Sequence, residues 1–98
     1  MACAMWRGVD DMRLERQELP LPHGRDVLIR VAACGICATD LHLLDGSIPL
    51  YKPPRILGHE MSGTVVAIGP DVTSVQVGTA VAIDPNISCG ACFYCHEA

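Results

Sequence analysis

The amino-acid sequence predicts a mainly β fold, a barrel or sandwich of short strands interrupted by one short helix. β-Branched residues are concentrated in short runs, glycine or proline bounds most of these runs, and only one stretch carries the signals of a helix start. A chain of 98 residues that is 50% hydrophobic and 18% charged has room for one domain with a modest core. We expect a metal, a partner or further chain to add to the stability of such a core.

Four runs are predicted to be strands because they are apolar, rich in β-branched residues or alternating: residues 12–19, 27–33, 64–68 and 80–83. The short helix is predicted at residues 41–44, with Thr39 or Asp40 as its amino-terminal cap and Gly46 at its end. Residues 47–57 contain three prolines and are predicted to form an irregular loop, the kind of segment that often carries function.

The distribution of charge excludes two classes of partner. The formal net charge is −4, and all seven lysines and arginines lie at or before Arg55, so the second half has no basic patch. Nucleic acid and membrane surfaces need clustered positive charge and are not expected partners. The first residues lack the charged region of a signal peptide, and no run of 18 apolar residues occurs, which makes a cytoplasmic location the default expectation.

Three cysteines near the end of the chain are spaced by two residues each: Cys89, Cys92 and Cys95, called here the thiol cluster. One loop with this spacing can wrap a tetrahedral ion, and thiolates are preferred ligands of Zn²⁺. His96 is too close in sequence to complete the site, so a fourth ligand beyond Ala98 is expected. The sequence therefore predicts a structural zinc site.

Three other interpretations of the cysteines stay open at this point. The thiol cluster is also compatible with buried free thiols. Residues 92–96 match the C-x-x-C-H attachment site of c-type haem, although that site normally follows export and leaves Cys89 unexplained. Residues 34–37 form a C-x-x-C that is compatible with a dithiol redox centre, although no second long helix follows.

A histidine and a glutamate stand side by side in residues 58–63, just before a predicted strand. Adjacent residues of a strand face opposite sides, so normally only one of the two would face a given site. A lone histidine is usually a satisfied surface or core residue. The freedom that Gly58 and Gly63 give this loop, together with the cysteines upstream, favours metal ligation by His59.

Residues 58–72 have the spacing G-H-E-x-x-G-x-x-x-x-x-G-x-x-V, which resembles the zinc signature of the medium-chain alcohol dehydrogenases. Residues 34–42 are similar to the segment of that family that carries the catalytic cysteine, and the thiol cluster resembles its structural zinc lobe. The resemblance implies a GroES-like β-barrel with short helices over residues 1–98, an incomplete amino-terminal domain whose zinc lobe begins at about residue 86. The family's Rossmann domain is absent.

The resemblance also implies a ligand set for a catalytic zinc ion. Cys37 and His59 match two of the family's ligands, and the third lies outside this chain. Glu60 matches a residue beside the ligands or an alternating ligand. Zinc held in this way acts as a Lewis acid toward an alcohol, which passes hydride to NAD(P).

Three further roles follow from the same resemblance. Thr39 matches the hydroxyl that takes the alcohol proton, His42 the relay that delivers it to water, and Asp40 the carboxylate that accepts a hydrogen bond from His59. Cys34 matches no ligand and is expected to be a small buried residue on a strand. Ala38 stands where some relatives carry a basic residue near the cofactor.

The sequence thus predicts the zinc-binding catalytic part of an NAD(P)-dependent dehydrogenase for a small alcohol or polyol, an enzyme expected to be a homo-oligomer at full length. No G-x-G-x-x-G occurs in the 98 residues, and each zinc site lacks a ligand, so the chain alone is expected to be inactive. The alternative is a zinc-binding or protein-interaction module without catalysis.

Overall fold

The computed structural model describes residues 1–97. Strands dominate, and the prediction of a mainly β fold with short helices is confirmed. The elements in chain order are β1 (Ala2–Gly8), β2 (Asp11–Arg16), β3 (Val27–Gly35), α1 (Ala38–Leu44), β4 (Arg55–Ile56), β5 (Glu60–Ile68), β6 (Ala80–Ala82) and α2 (Phe93–Glu97). They form two open three-stranded sheets in the described residues, with strand orders β2-β1-β4 and β3-β5-β6. No described helix is long and apolar enough to cross a membrane.

The first sheet is built around β1, a strand that the sequence did not predict. It pairs antiparallel with β2 and with β4, and it supplies three of the buried hydrophobic residues, Cys3, Met5 and Trp6. The predicted strand at residues 12–19 ends early, at Arg16, which pairs with Ala2, the first residue of β1. Gln17 still exchanges two hydrogen bonds with Met1, and no pairing with the first sheet continues beyond it in the described residues. The short strand β4 lies inside the segment that was predicted to be an irregular loop.

The second sheet joins the first half of the chain to the second. β3 pairs antiparallel with β5 along its whole length, from the pair Val27 and Ile68 to the pair Gly35 and Glu60. This pairing explains why β5 begins at Glu60 and not at the predicted residue 64. A Cβ at Gly63 would lie 2.2 Å from a backbone oxygen of β3, so this close approach requires glycine.

Helix α1 begins directly after β3 and differs from its prediction at one end. Cys37, in extended conformation, is the amino-terminal cap, and the Asp40 carboxylate accepts a hydrogen bond from the Cys37 backbone N–H. Asp40 is thus the third helical residue, the partner of the cap, and the prediction that it or Thr39 is the cap was wrong. The predicted end is confirmed, since Asp45 caps the helix and Gly46 follows with a φ of 79°.

Helix α2 is the other departure from the sequence analysis, which predicted a single helix at residues 41–44. It spans Phe93–Glu97 and includes Cys95, while Cys89 lies in the preceding loop and Cys92 directly before its first residue. None of its residues is buried. The hydrophobic core therefore lies elsewhere, around β1, Leu43 of α1 and Val65 of β5.

Candidate metal centres

The first centre contains Cys37, His59 and Glu60, called here the mixed cluster. One sulfur, nitrogen or oxygen atom from each residue lies within 4.8 Å of the others, although Cys37 and His59 are far apart in the chain. The β3–β5 pairing produces this meeting. Gly35, at the end of β3, stands opposite Glu60, at the start of β5, so the residues that follow β3 reach those that precede β5.

Two glycines make room for this meeting. A Cβ at Gly35 would lie 2.8 Å from Glu60 Oε2, so the Glu60 side chain occupies space that only glycine leaves. Gly58 has a φ of 103°, a backbone conformation that other residues rarely adopt. His59 lies in the irregular segment directly before β5 and outside the regular strand. The alternation expected of adjacent strand residues does not apply there, and His59 and Glu60 reach the same cluster.

Asp40 supports the mixed cluster from helix α1. Its Oδ2 accepts a hydrogen bond from the Cys37 backbone N–H at 3.0 Å, and its Oδ1 lies 3.5 Å from His59 Nδ1. Oδ1 is buried and has no hydrogen-bond partner in the described residues. A buried carboxylate oxygen needs a donor, and a proton on His59 Nδ1 supplies it with a small movement of the ring. The opposite nitrogen, Nε2, is then left free to bind a metal.

Thr39 and His42 lie on the same helix but have different surroundings. Thr39 Oγ1 is 3.7 Å from Cys37 Sγ, so the hydroxyl lies at the mixed cluster. The half-exposed His42 has Nδ1 3.0 Å from Ser47 Oγ and 3.9 Å from an Asp45 oxygen. Among the described residues the hydrogen bonds of these two side chains do not connect them. Their spacing of three residues places them on one face of α1.

The thiol cluster is the second centre. Cys95 Sγ lies 3.7 Å from Cys89 Sγ and 3.5 Å from Cys92 Sγ. Cys89 and Cys92 are exposed and Cys95 is partly exposed, so the interpretation of these residues as buried free thiols was wrong. The segment lies at the surface, outside the core of the described chain. His96 does not join the cluster.

Hydrogen bonds around the thiol cluster favour thiolates. The backbone N–H of Ala91, followed by the Cys92 thiol, donates to Cys89 and lowers the pKa of Cys89 to about 7. The Cys92 thiol is the main cause of a lowered pKa at Cys95. A hydrogen bond to the charged form stabilises that form, which is the form that binds metal.

Cys34 lies beside the mixed cluster without joining it. It lies on β3, as expected, and the prediction of a strand residue is confirmed. The prediction that it is buried was wrong, because the apolar groove beside it is open in the described chain and leaves Cys34 exposed. Its sulfur lies against Gly58 and hydrogen-bonds to the Gly35 carbonyl, whereas the Cys37 sulfur faces Thr39. The two thiols of the C-x-x-C therefore have separate partners.

A cleft of about 350 Å³ opens beside His59. The residues that line it come from α1, from the segment before β5 and from the segment after β6: Thr39, Asp40, Leu43, Leu50, Tyr51, Arg55, Ile56, Leu57, Gly58, His59, Pro85 and Asn86. Sequence analysis marked the segment 47–57 as a functional loop but did not identify Tyr51 and Arg55. The Arg55 guanidinium carbon lies 4.6 Å from the centre of the Tyr51 ring, a contact with no sequence signal.

Both donor sets fit zinc. Sulfur, imidazole nitrogen and carboxylate oxygen are the three ligand types that zinc accepts in proteins, and three thiols at close range are typical of a structural site. The unpartnered Asp40 oxygen next to His59 is the outer support that metal-binding histidines usually have. Within residues 1–97, no fourth histidine, cysteine or acidic residue joins either cluster.

Comparison with known proteins identifies the family of this chain. The model of the alcohol dehydrogenase GroES-like domain family matches residues 23–98. L-Threonine 3-dehydrogenase of Pyrococcus horikoshii is 43% identical over 83 residues, which are 82% of this chain and 24% of that protein. Sorbitol dehydrogenase of Bacillus subtilis is 38% identical over 100 residues, covering 99% of this chain and 28% of that protein.

A solved structure gives the same result for the fold. The zinc-binding dehydrogenase of Sinorhizobium meliloti, bound to NADP, superposes with a TM-score of 0.86 at 41% identity, covering 98% of this chain and 28% of that one. The chain thus spans about a quarter of the length of the relatives it matches. This chain, which has two open sheets, the mixed cluster and the thiol cluster, belongs to the alcohol dehydrogenase GroES-like domain family.

Proposed function

We propose that residues 1–98 are the zinc-binding catalytic domain of an NAD(P)-dependent dehydrogenase that oxidises a small alcohol or polyol, with a zinc lobe from about residue 86. One observation carries the proposal. The ligand atoms of Cys37, His59 and Glu60 lie within 4.8 Å of one another, and Asp40 supports His59 from behind. Cys37 and His59 are far apart in the sequence, so their ligand atoms come close only because β3 pairs with β5.

Cys37 and His59 would hold the catalytic zinc ion, and Glu60 would lie beside it or serve as an alternating ligand. When bound, zinc supplies Lewis acidity that lowers the pKa of an alcohol hydroxyl. Asp40 holds the proton on His59 Nδ1 and so orients Nε2 toward the metal. It also fixes the start of α1 through the Cys37 N–H, which couples the position of the Cys37 thiol to that of the histidine.

Thr39 and His42 move the proton of the substrate. Thr39 Oγ1 lies next to the Cys37 sulfur, where it takes the alcohol proton and releases its own. Since no hydrogen bond joins Thr39 to His42 within residues 1–97, a bridging water carries that proton to His42, which is half exposed and delivers it to solvent. Leu43 and Leu57 add apolar surface to the cleft beside His59, against which the carbon chain of the alcohol packs.

The relatives support the substrate class and the cofactor. Two of them are named for the oxidation of threonine and sorbitol, and a third was solved with NADP. The choice between NAD and NADP belongs to residues outside this chain, which has no G-x-G-x-x-G. We expect the full-length enzyme to be a homo-oligomer of the cytoplasm, where a reducing environment keeps the four cysteines of the two clusters available for zinc.

The thiol cluster binds a second, structural zinc ion. Its three sulfurs lie at the surface, close together and with a pKa lowered at Cys89 and Cys95. A thiolate-rich centre of this kind has no open position for a substrate once a fourth ligand closes it. Its role is to hold its own loop in shape.

Zinc content of the purified chain tests the proposal. We expect two zinc ions per chain, one in the His59→Ala variant and one in the Cys92→Ser variant. Cobalt substitution distinguishes the two sites, because the sulfur-to-cobalt absorption of a three-thiolate site is stronger than that of a one-thiolate site. Cys34→Ser is the matched control, since it removes a thiol that lies outside both clusters.

Two results would count against the assignment. If His59→Ala keeps two zinc ions, the mixed cluster does not hold zinc and catalysis at this site is excluded. If the unmodified chain binds one zinc ion that is lost only with Cys92→Ser, the chain is a zinc-binding module without catalysis.

A further inference from the structure

Arg55 is a cation in the cleft without a carboxylate partner in the described chain. Arg7 and Arg13 each pair with a carboxylate through two nitrogens, with distances of 2.7 to 2.8 Å. Arg55 has no such ion pair within residues 1–97, although it lines the same cleft as Thr39 and His59. Its charge is therefore available to a ligand of that cleft.

The side chain and backbone of Arg55 are held in place before any ligand arrives. The guanidinium carbon lies 4.6 Å from the centre of the Tyr51 ring, a stacking contact that limits its movement. The backbone of Arg55 is in β4 and pairs with Trp6, which is 4% exposed. A guanidinium fixed at both ends loses little entropy when it binds an anion.

The charges of the cleft leave no other partner for Arg55. Asp40 is the acidic residue among the lining residues, and its two oxygens face the Cys37 N–H and His59 Nδ1. Lys52 belongs to the same segment but does not line the cleft. The cleft is thus lined both by Arg55, whose guanidinium has no carboxylate partner within residues 1–97, and by His59 of the mixed cluster.

We propose that the substrate of this domain is an alcohol that carries an anionic group, a carboxylate or a phosphate, and that Arg55 binds this group through its guanidinium. The proposal rests on the proposed function, because it places the hydroxyl of the substrate at His59. Guanidinium matches the two oxygens of a carboxylate or phosphate with two parallel hydrogen bonds. Arg55 is then the residue that selects charged alcohols over neutral ones.

The chain length between Arg55 and His59 limits the size of the substrate. The two residues are four positions apart in sequence, so their Cα atoms are at most about 14 Å apart. A hydroxyl at His59 and an anion at Arg55 therefore fit within one short molecule, such as a hydroxy acid or a phosphorylated polyol.

The test uses pairs of probes that differ only in charge. We compare ω-hydroxyhexanoate with hexanediol, and glycerol phosphate with glycerol, by titration calorimetry and NMR on the zinc-loaded 98-residue chain. We expect the preferred anion to bind about tenfold more tightly than its neutral counterpart, the range of a charge-assisted hydrogen-bond pair. The anionic probe that binds more tightly, ω-hydroxyhexanoate or glycerol phosphate, shows whether the anionic group of the substrate is a carboxylate or a phosphate.

Variants of Arg55 show whether this residue causes the preference. Arg55→Gln should lose the tenfold preference and Arg55→Lys should retain about a third of it, because the charge remains but the fork does not. Arg30→Gln makes the same change in net charge at an exposed residue of β3 that does not line the cleft, and it should keep the full preference. Retained NMR dispersion shows that each variant is folded.

Three outcomes overturn the proposal: equal binding of charged and neutral probes, binding of neither, or an equal loss in Arg30→Gln. Hexanoate, which has no hydroxyl, separates this proposal from the proposed function. If hexanoate binds with dependence on Arg55 while zinc content shows no site at His59, the anion site stands and the catalytic assignment fails. If zinc is bound at His59 and no probe pair shows a preference, the anion site alone fails.

Discussion

The mixed cluster and the thiol cluster both bring three ligand atoms together, but they depend on different parts of the fold. Cys37 and His59 are 22 residues apart and meet because β3 pairs with β5. The thiol cluster lies within seven residues and needs only its own loop and the start of α2. The first centre is therefore a product of the whole sheet, and the second a product of local spacing.

Their supports differ as well. The mixed cluster is half buried, has a carboxylate behind its histidine, and needs glycine at two neighbouring positions. The thiol cluster is exposed, and its sulfurs receive hydrogen bonds from one another and from backbone N–H groups. A site that prepares a metal for chemistry has to be held by its surroundings, whereas a site that only closes a loop does not.

Gly63→Ala should have the largest effect and should separate the two clusters. The new Cβ would lie 2.2 Å from the Arg30 carbonyl oxygen, so β3 and β5 would have to move apart. We expect the free energy of unfolding to fall by about 1–3 kcal/mol, the usual effect of overpacking. Urea unfolding followed by circular dichroism measures it, and cobalt absorption should fall at the mixed cluster while it persists at the thiol cluster.

Gly8→Ala is the matched control for this change. No atom lies within 4 Å of a Cβ at Gly8, and its φ is not positive, so the free energy of unfolding should change by less than about 0.5 kcal/mol. Equal loss of cobalt from both clusters in Gly63→Ala would contradict the contrast between them.

Asp40→Asn should weaken only the mixed cluster. An asparagine has no negative charge to hold the proton on His59 Nδ1, so we expect zinc affinity at the mixed cluster to fall about 10- to 100-fold. Competition with a chromophoric chelator measures each affinity. Asp45→Asn, at the other end of the same helix, is the control, because Asp45 bonds to the Ser47 N–H and not to a ligand. An equal loss in both variants would show that helix stability, and not histidine orientation, is responsible.

The metal-free thiol cluster should show an unusual pH dependence. The Ala91 N–H stabilises the Cys89 thiolate, so the pKa falls to about 7 and the thiolate forms as pH rises through neutrality. We expect the alkylation rate of Cys89 to rise between pH 6 and pH 8 and then to level off. In urea the pH profile of alkylation at the same thiol should have its midpoint at about pH 8.5, the pKa of a free cysteine. Peptide mass spectrometry after brief iodoacetamide treatment measures both profiles. Identical profiles in buffer and in urea would show that the Ala91 N–H does not lower the pKa of Cys89.

The difference between the clusters also decides how much of the molecule could be predicted from sequence. The thiol cluster follows from spacing alone, and the strands at β3, β5 and β6 follow from apolar runs between glycines. The mixed cluster came through a family resemblance, because no periodic pattern joins residue 37 to residue 59. The strand β1 was missed because its apolar stretch is short and its burial depends on two distant partners.

Smaller details failed for local reasons. Cysteine is not among the usual helix caps, so no signal in the sequence indicated that Cys37 would cap α1. The contact of Arg55 with Tyr51 depends on the conformation of the proline-rich segment between them, which the spacing of the prolines does not predict. Exposure of Cys34 was missed because a cysteine in a strand is usually buried.

Cys34→Ser should have the smallest effect and marks the edge of the mixed cluster. The Cys34 sulfur lies against Gly58 and bonds to the Gly35 carbonyl, so it does not share the ligand atoms of Cys37, His59 and Glu60. We expect two zinc ions per chain, unchanged affinities, and the loss of one thiol that reacts rapidly in the zinc-loaded protein. Zinc analysis and thiol titration measure these quantities. A fall in zinc content at the mixed cluster would mean that Cys34 and Cys37 act as one unit in binding zinc. The mixed cluster would then depend on local spacing, as the thiol cluster does.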